Sequence, residues 1–175
     1  LANSPTCGRL RDVEQPATPP SPHPRDGWDT VVEAANHRVE RRGRHLWVSV
    51  WRRPDLDTAS GAALAQALVS TVLGKLAELA GPGSLRAVVL DLRLAPPVNG
   101  PSTQQSLGRL LAACEQAQVI PALLHGGDAL AALQLGRLVR EYAPRLGQVT
   151  ADAATLAALT ASSVNNGRGP PSCPR

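Results

Sequence analysis

An uninterrupted apolar run, Ala87 to Leu90, ends in Asp91. It is followed by a loop holding Pro96, Pro97, Asn99, Gly100 and Pro101, and a helical pattern opens at Ser102 or Thr103. Short runs of this kind, apolar at every position, are strands buried on both faces, as in parallel sheets covered by helices. A strand that feeds a loop and then a helix is where α/β domains place their working residues. This stretch therefore constrains the chain to a layered α/β architecture. It carries no nucleophile–base pair, no phosphate-cradling glycine pattern and no metal-ligand cluster. On that ground the chain reads as a regulatory or interaction module, with no catalytic residues, no metal and no cofactor expected.

The rest of the chain fits that frame. With 175 residues, 43% hydrophobic and 18% charged, it has the size and composition of about one globular domain. Phe and Met are absent and Tyr occurs once, so the core has to be built from Ala, Leu and Val. The net charge of +4 comes almost wholly from arginine, Lys75 being the one lysine. A charge that small does not by itself imply a nucleic-acid partner. Cys7, Cys114 and Cys173 are odd in number and far apart, which argues against a zinc site or disulfide framework and for a reducing, cytoplasmic compartment. Cys114 falls on the apolar side of a helix and reads as a small core residue. No apolar run approaches the roughly 20 residues of a membrane span. The chain begins at Leu1 without a methionine or a signal-like apolar segment, which reads as a processed or truncated end.

Proline-rich, polar segments at 1–27 and 162–175 read as disordered arms around a domain at 28–161. Within it, Trp28 to Ala34 and His45 to Trp51 read as strands. In the second, Leu46, Val48 and Val50 alternate with Trp47, Ser49 and Trp51. Ser60 is the expected cap of a helix from Gly61 to Leu79, stopped by Gly81-Pro82-Gly83, with Leu64, Leu68, Val72 and Leu76 on its inner face. Helices are also expected over Ser102 to Gln116, Asp128 to Tyr142 and from Asp152 through Leu159. Strands are expected at 86–92, Val119 to Leu124 and Gln148 to Val149. The order strand, strand, helix, strand, helix, strand, helix, short strand, helix predicts a mostly parallel sheet with helices packed against it.

Three places resemble the STAS family, the domain of bacterial anti-sigma-factor antagonists and stressosome proteins. They are Val-Ser-Val at 48–50 with Leu-Asp-Thr-Ala at 56–59, Val-Val-Leu-Asp-Leu at 88–92 with Pro96-Pro97-Val98-Asn99, and Val149 to Leu159. The resemblance implies a STAS-like fold and a regulatory protein–protein interaction switched by phosphate on the loop after the central strand. The family's phosphoacceptor serine aligns with Pro101, which has no hydroxyl; a one-residue slip brings Ser102 into that role, with Thr103 behind it. A second resemblance is to the crotonase (enoyl-CoA hydratase/isomerase) superfamily, through Arg53-Pro54-Asp55 with Thr58-Ala59, Arg86 to Leu90 followed by Gly100, and His125-Gly126 followed by Leu133-Gln134-Leu135. It implies a truncated ββα crotonase-like fold and acyl-CoA binding. Leu130 and Ala132 stand where that family's oxyanion-hole glycines are expected, so the site it implies is catalytically degenerate.

The candidate functional residues follow. Ser102 and Thr103 are helix caps or phosphoacceptors, and one residue can serve as both. Asp91, Asn99 and Gly100 form a binding loop, with Asp91 capping it through backbone N–H groups. Trp47 and Trp51, taken as outward-facing, make with Arg52 and Arg53 a patch for a protein partner. The same tryptophans, among Arg38, Arg41, Arg42 and Arg44, leave a nucleic-acid-binding module as a third reading. His125 reads as structural, and Gly126-Gly127-Asp128 is a weak anion-binding signal. The partner expected is another protein, self-association is open, and neither nucleic acid nor membrane is expected.

Overall fold

The computed structural model describes residues 26–55, 57–79 and 84–161. Both proline-rich arms, Cys7, Cys173 and Gly81-Pro82-Gly83 lie outside the described residues. Three strands open the fold: β1 (Asp29–Glu33), β2 (His37–Arg42) and β3 (His45–Trp51). Then come α1 (Thr58–Glu78), β4 (Ala87–Leu94), α2 (Pro101–Gln116), β5 (Ile120–Leu124), α3 (Ala129–Tyr142), β6 (Gln148–Thr150) and α4 (Ala153–Ala161). The strands form one six-stranded sheet in chain order, β1-β2-β3-β4-β5-β6. The first two pairings are antiparallel and the remaining three are parallel. The chain is thus an α/β protein with a mostly parallel sheet and helices packed around it.

Neighbouring parallel strands joined through crossovers of one hand send every connecting helix to the same side of a sheet. The core follows that rule. Leu46, Val48 and Val50 of β3, Val88 and Leu90 of β4 and Leu123 of β5 pack with Val72 and Leu76 of α1, Leu110 and Leu111 of α2 and Leu138 of α3. The opposite face carries Trp47, Val89, Ala122 and Leu124, packed with Leu156 of α4 and Trp28. The rings of Trp28 and Trp47 meet edge to face at 6.0 Å.

Several expectations change here. β2, His-Arg-Val-Glu-Arg-Arg, was not expected as a strand. It nevertheless pairs residue for residue with β3, and Arg38 and Glu40 are buried in the ladder. Arg38 reaches Glu33 of β1 at 2.6 Å. β3 is not half-buried but buried at all seven positions, and on its second face Trp47 packs in a cluster with Leu156 of α4 and Trp28. Helix α1 starts three residues earlier than expected, and its cap is Asp57, whose carboxylate accepts the Ser60 N–H at 2.8 Å; Ser60 lies inside the first turn. The segment Ala59–Glu78 is also long and apolar enough, by length and composition alone, to cross a membrane. In this fold Leu68, Val69, Val72 and Leu76 of that segment are buried in the core, and most of its other residues are not buried.

Cys114 is buried in the core, and burial pushes its thiol up to about 12, so no thiolate forms near neutral pH. Glu115, its neighbour, ties the end of α2 to the turn before β6. Its carboxylate accepts from the Arg145 guanidinium at 2.7 Å and from the backbone N–H groups of Leu146 and Arg145 at 3.1 and 3.3 Å. Desolvation pushes this carboxyl up, but the guanidinium and the two amides outweigh it, and the net result lies below the ordinary glutamate value. A carboxylate held low in the folded state stabilises above its unfolded pKa, about 4.3 for glutamate, and loses that contribution as pH falls through the folded value. Glu115→Gln should therefore lower the thermal midpoint at pH 7, and the gap to wild type should close as pH falls below about 4. Thermal unfolding from pH 7 to 3 checks this; a pH-independent gap would show that the charge does not hold the turn.

Candidate functional site

The sheet's parallel strands β3 and β4 end together, and the chain leaves them in two directions. At the end of β3, the Arg52 N–H binds the Leu94 carbonyl of β4 at 2.9 Å, closing the sheet's edge. From β4 the chain runs through Ala95 to Gly100 into α2. The Gln104 side chain pins this loop by donating to the Val98 carbonyl at 3.1 Å, and Arg137 of α3 donates to Gln104 at 2.8 Å. Between the first turns of α1 and α2, above the strand ends, lies a cavity of about 700 Å³. Gly61, Ala62 and Ala65 wall it on the α1 side, and their small side chains leave the space that leucines would fill. Its floor and far wall are Val50, Leu68, Leu90 and Leu107. A crevice beyond the carboxyl ends of parallel strands is where open α/β sheets bind ligands, and this volume falls within the range of small-molecule sites.

Most of the residues singled out from sequence meet here. Trp51, Arg52, Arg53, Asn99, Gly100, Ser102 and Thr103 all line the cavity. Asp91 does not. It sits on the other face of the sheet, where it accepts from its own neighbour Arg93 through the guanidinium, at 2.8 and 2.7 Å, and through the backbone N–H at 3.4 Å. That long bond to the Arg93 N–H is a backbone contact of the kind expected of a loop cap. Trp47 shares its side of the sheet. The tryptophans are not the outward-facing patch expected: Trp47 is 5% and Trp51 6% exposed. Alternation along β3 puts one face outward only if nothing covers that face, and here both are covered. Trp51 escapes the strict alternation because the β3–β4 register shifts between Ser49 and Trp51. The expected Arg/Trp surface for nucleic acid loses its stacking rings for the same reason.

The helix starts are unlike one another. Asp57, Asp128 and Asp152 cap α1, α3 and α4 with side-chain carboxylates. The Asp128 carboxylate occupies the amides of Leu130 and Ala131, which fills the anion position suggested by Gly126-Gly127-Asp128. Gly127, at φ +91°, needs its glycine, and His125 Nδ1 accepts the Gly127 N–H at 3.1 Å, a structural role. α2 is capped by Gly100, with Pro101 in its first turn and no side-chain cap. Neither Ser102 nor Thr103 is the cap, contrary to expectation: both lie inside the helix, and Ser102 is exposed. Ser102→Ala, for which a lost cap predicts about 1 kcal/mol, is therefore expected to stay within about 0.5 kcal/mol of wild type in denaturant unfolding.

Three residues that sequence reasoning passed over belong to the site. Gln104 is the pin already described. Ser106 is 8% exposed, lines the cavity, and sits on the α2 stripe otherwise made of Leu107, Leu110, Leu111 and Cys114. A hydroxyl at a core-facing helical position was the available signal. Asn36, 8% exposed, closes the cavity near β3; its Oδ1 lies 2.8 Å from Nδ1 of His37, whose imidazole burial pushes down. Of the two arginines, Arg53 grips Asp55 at 2.6 and 2.8 Å and the Ala35 carbonyl at 3.2 Å, whereas the exposed Arg52 side chain has no partner among the described residues. Among the described lining residues there is no His, Cys or Glu, and the one carboxylate is Asp57. It is held below the ordinary aspartate value, mainly by its hydrogen bond to Ser60.

No family model matches the chain, and no curated protein matches it. A solved structure described as an enoyl-CoA hydratase/carnithine racemase from Magnetospirillum magneticum is similar at 13% identity, over 73% of each chain, with a TM-score of 0.32. A likeness at that level identifies neither an activity nor a family.

Proposed function

We propose that this chain is a non-catalytic, ligand-responsive regulatory module. Its cavity binds a small, mainly apolar molecule, and the loop at 95–103, which is wall on one side and surface on the other, passes occupancy on to a protein partner. The observation that carries this reading is the cavity of about 700 Å³ at the carboxyl ends of β3 and β4, apolar at its base. Acid–base chemistry needs a group whose pKa sits near the working pH. The lining's one carboxylate is instead engaged as a helix cap and held low. The test is calorimetry with 1-octanol on the wild type and on Ala65→Trp, which places an indole in the cavity. Binding by the first and none by a folded second supports the reading. Absence of binding by the wild type, or turnover of a short acyl-CoA beside it, overturns it in favour of an empty packing defect or a crotonase-like enzyme.

A phosphate switch is a second reading, favoured by one observation. Ser102 is exposed in the first turn of α2, where no acidic residue is present and the helix dipole welcomes negative charge. Ser102→Asp should then change the partners recovered in a pull-down from the native host while leaving the thermal midpoint unaltered. An unchanged partner set would leave the loop as cavity wall alone.

A further inference from the structure

The cavity is apolar at its base, but its mouth is not. The first-turn N–H groups of Ser102 and Thr103 find no acceptor among the described residues, since Pro101 precedes them and Gly100 brings no side chain. A bare helix start would mean little alone, because water can satisfy it. One turn further along the same face, however, Ser106, 8% exposed and on the inward side of α2, lines the same cavity. A hydroxyl at a core-facing position beside the cavity offers a donor and an acceptor to a polar group that enters it. Arg52 stands at the rim with its guanidinium unpaired.

We propose that the cavity takes a straight-chain monocarboxylate, its head on the Ser102 and Thr103 amides, the Ser106 hydroxyl and Arg52, its tail against Leu64, Leu68 and Leu90. This rests on the ligand-binding reading above and names the ligand's class. Charge selects the head. Arg52, Asp57, the Arg53–Asp55 pair and two helix dipoles worth about half a charge each leave roughly one net positive charge at the mouth. That suits a monoanion. A phosphate dianion would meet the ionised Asp57 on the opposite wall with its second charge uncompensated. Among the described residues the base, formed by Val50, Leu68, Leu90 and Leu107, brings no polar side chain to a second head, so the tail is plain hydrocarbon.

Gly100 supplies a clean test. A Cβ built there meets only Thr103 Oγ1, at 3.9 Å, and its φ of −87° is open to any residue. Gly100→Asp should fold at least as well as wild type, because aspartate caps better than glycine. Its carboxylate would then occupy the amides that the ligand needs. Calorimetry is run with octanoate and with 1-octanol on the wild type, Gly100→Asp, Gly100→Ala and Asp57→Asn. Octanoate should bind the wild type about tenfold or more tighter than octanol, as expected of charge-assisted hydrogen bonds. Gly100→Asp should lose that preference and keep octanol binding, and Gly100→Ala should keep both. Asp57→Asn, which retains the α1 cap, should bind octanoate more tightly. Lengthening the carboxylate from hexanoate should tighten binding about fourfold per methylene until the cavity is full. Octanol and octanoate binding equally, or Gly100→Asp leaving the preference intact, overturns the head-group assignment while the cavity reading stands. Neither binding overturns both.

Discussion

Trp47→Ala should unfold a large share of the molecule under conditions where the wild type is folded. Trp47 lies at the centre of β3, 5% exposed, between Glu40 of β2 and Val89 of β4 in the ladder. It packs with Ala122, Leu124 and Leu156, and its ring meets the edge of Trp28. Removing a buried indole costs about 3–5 kcal/mol, a large part of the 5–15 kcal/mol that holds an ordinary domain together. For a chain of this length that is a thermal midpoint lower by roughly 6–20 °C. The smaller cluster on this face has few other large side chains to close over the gap, which favours the upper part of the range. Thermal unfolding by circular dichroism decides the matter. A midpoint within a degree or two of wild type would show that this face is not packed as described. Loss of a partner without loss of stability would restore the reading of Trp47 as part of an interaction surface.

The contrast between that expectation and the sequence reading shows what a pattern can carry. The helices were legible because their apolar residues recur every three or four positions: Leu107, Leu110, Leu111 and Cys114 face inward on α2 as the spacing requires. β4 was legible because a short run apolar at every position has to be covered on both sides. β3 has an alternation that promises one wet face, and nothing local reveals that Trp47 on that face joins a cluster with Leu156 of α4, a hundred residues later. β2 was illegible for a stronger reason. Its arginines and glutamate disfavour burial, yet hydrogen bonding to β3 on one side and β1 on the other fixes it as an inner strand. The tertiary ladder outweighs composition.

For the site, the sequence located the loop and misassigned its parts. Asn99, Gly100, Ser102 and Thr103 do gather on one cavity, because any chain leaving a parallel strand for a crossover helix must pass the sheet's carboxyl edge. Asp91 was drawn into that set by adjacency. A strand turns successive side chains to opposite faces, so Leu90 lines the cavity and Asp91 points away from it. The capping roles went astray over single residues. Serine and aspartate both favour helix starts, and the choice of Asp57 over Ser60 and of Gly100 over Ser102 depends on backbone geometry that residue identity does not encode. The cavity itself left only a faint trace, the small residues at 61, 62 and 65 on α1.

Gly147→Ala is the second substitution expected to act strongly, although Gly147 gives no sign of importance in the sequence. It stands at the close of the turn between α3 and β6, and its N–H donates to the Ala143 carbonyl at 2.9 Å. A Cβ built there would lie 2.6 Å from that carbonyl oxygen, 2.6 Å from Cγ1 of Val139 and 3.1 Å from Cβ of Ala143. None of these can step aside cheaply. The oxygen is main chain, Val139 is buried in the core, and Ala143 is fully buried at the C-cap of α3. The turn cannot swing outward either, since the adjacent Leu146 and Arg145 amides are held by Glu115. Relief therefore means separating α3 from β6, the short edge strand that carries the chain to α4. Overpacking of this kind costs about 1–3 kcal/mol, or a midpoint lower by roughly 2–12 °C. Gly100→Ala is the matching control, because its added methyl has room. Hydrogen exchange on Leu123 and Leu124, whose strand pairs with β6, should quicken in Gly147→Ala and stay unchanged in Gly100→Ala. Equal midpoints for the two variants would mean that α3 and β6 are further apart in solution than the contacts at Gly147 require.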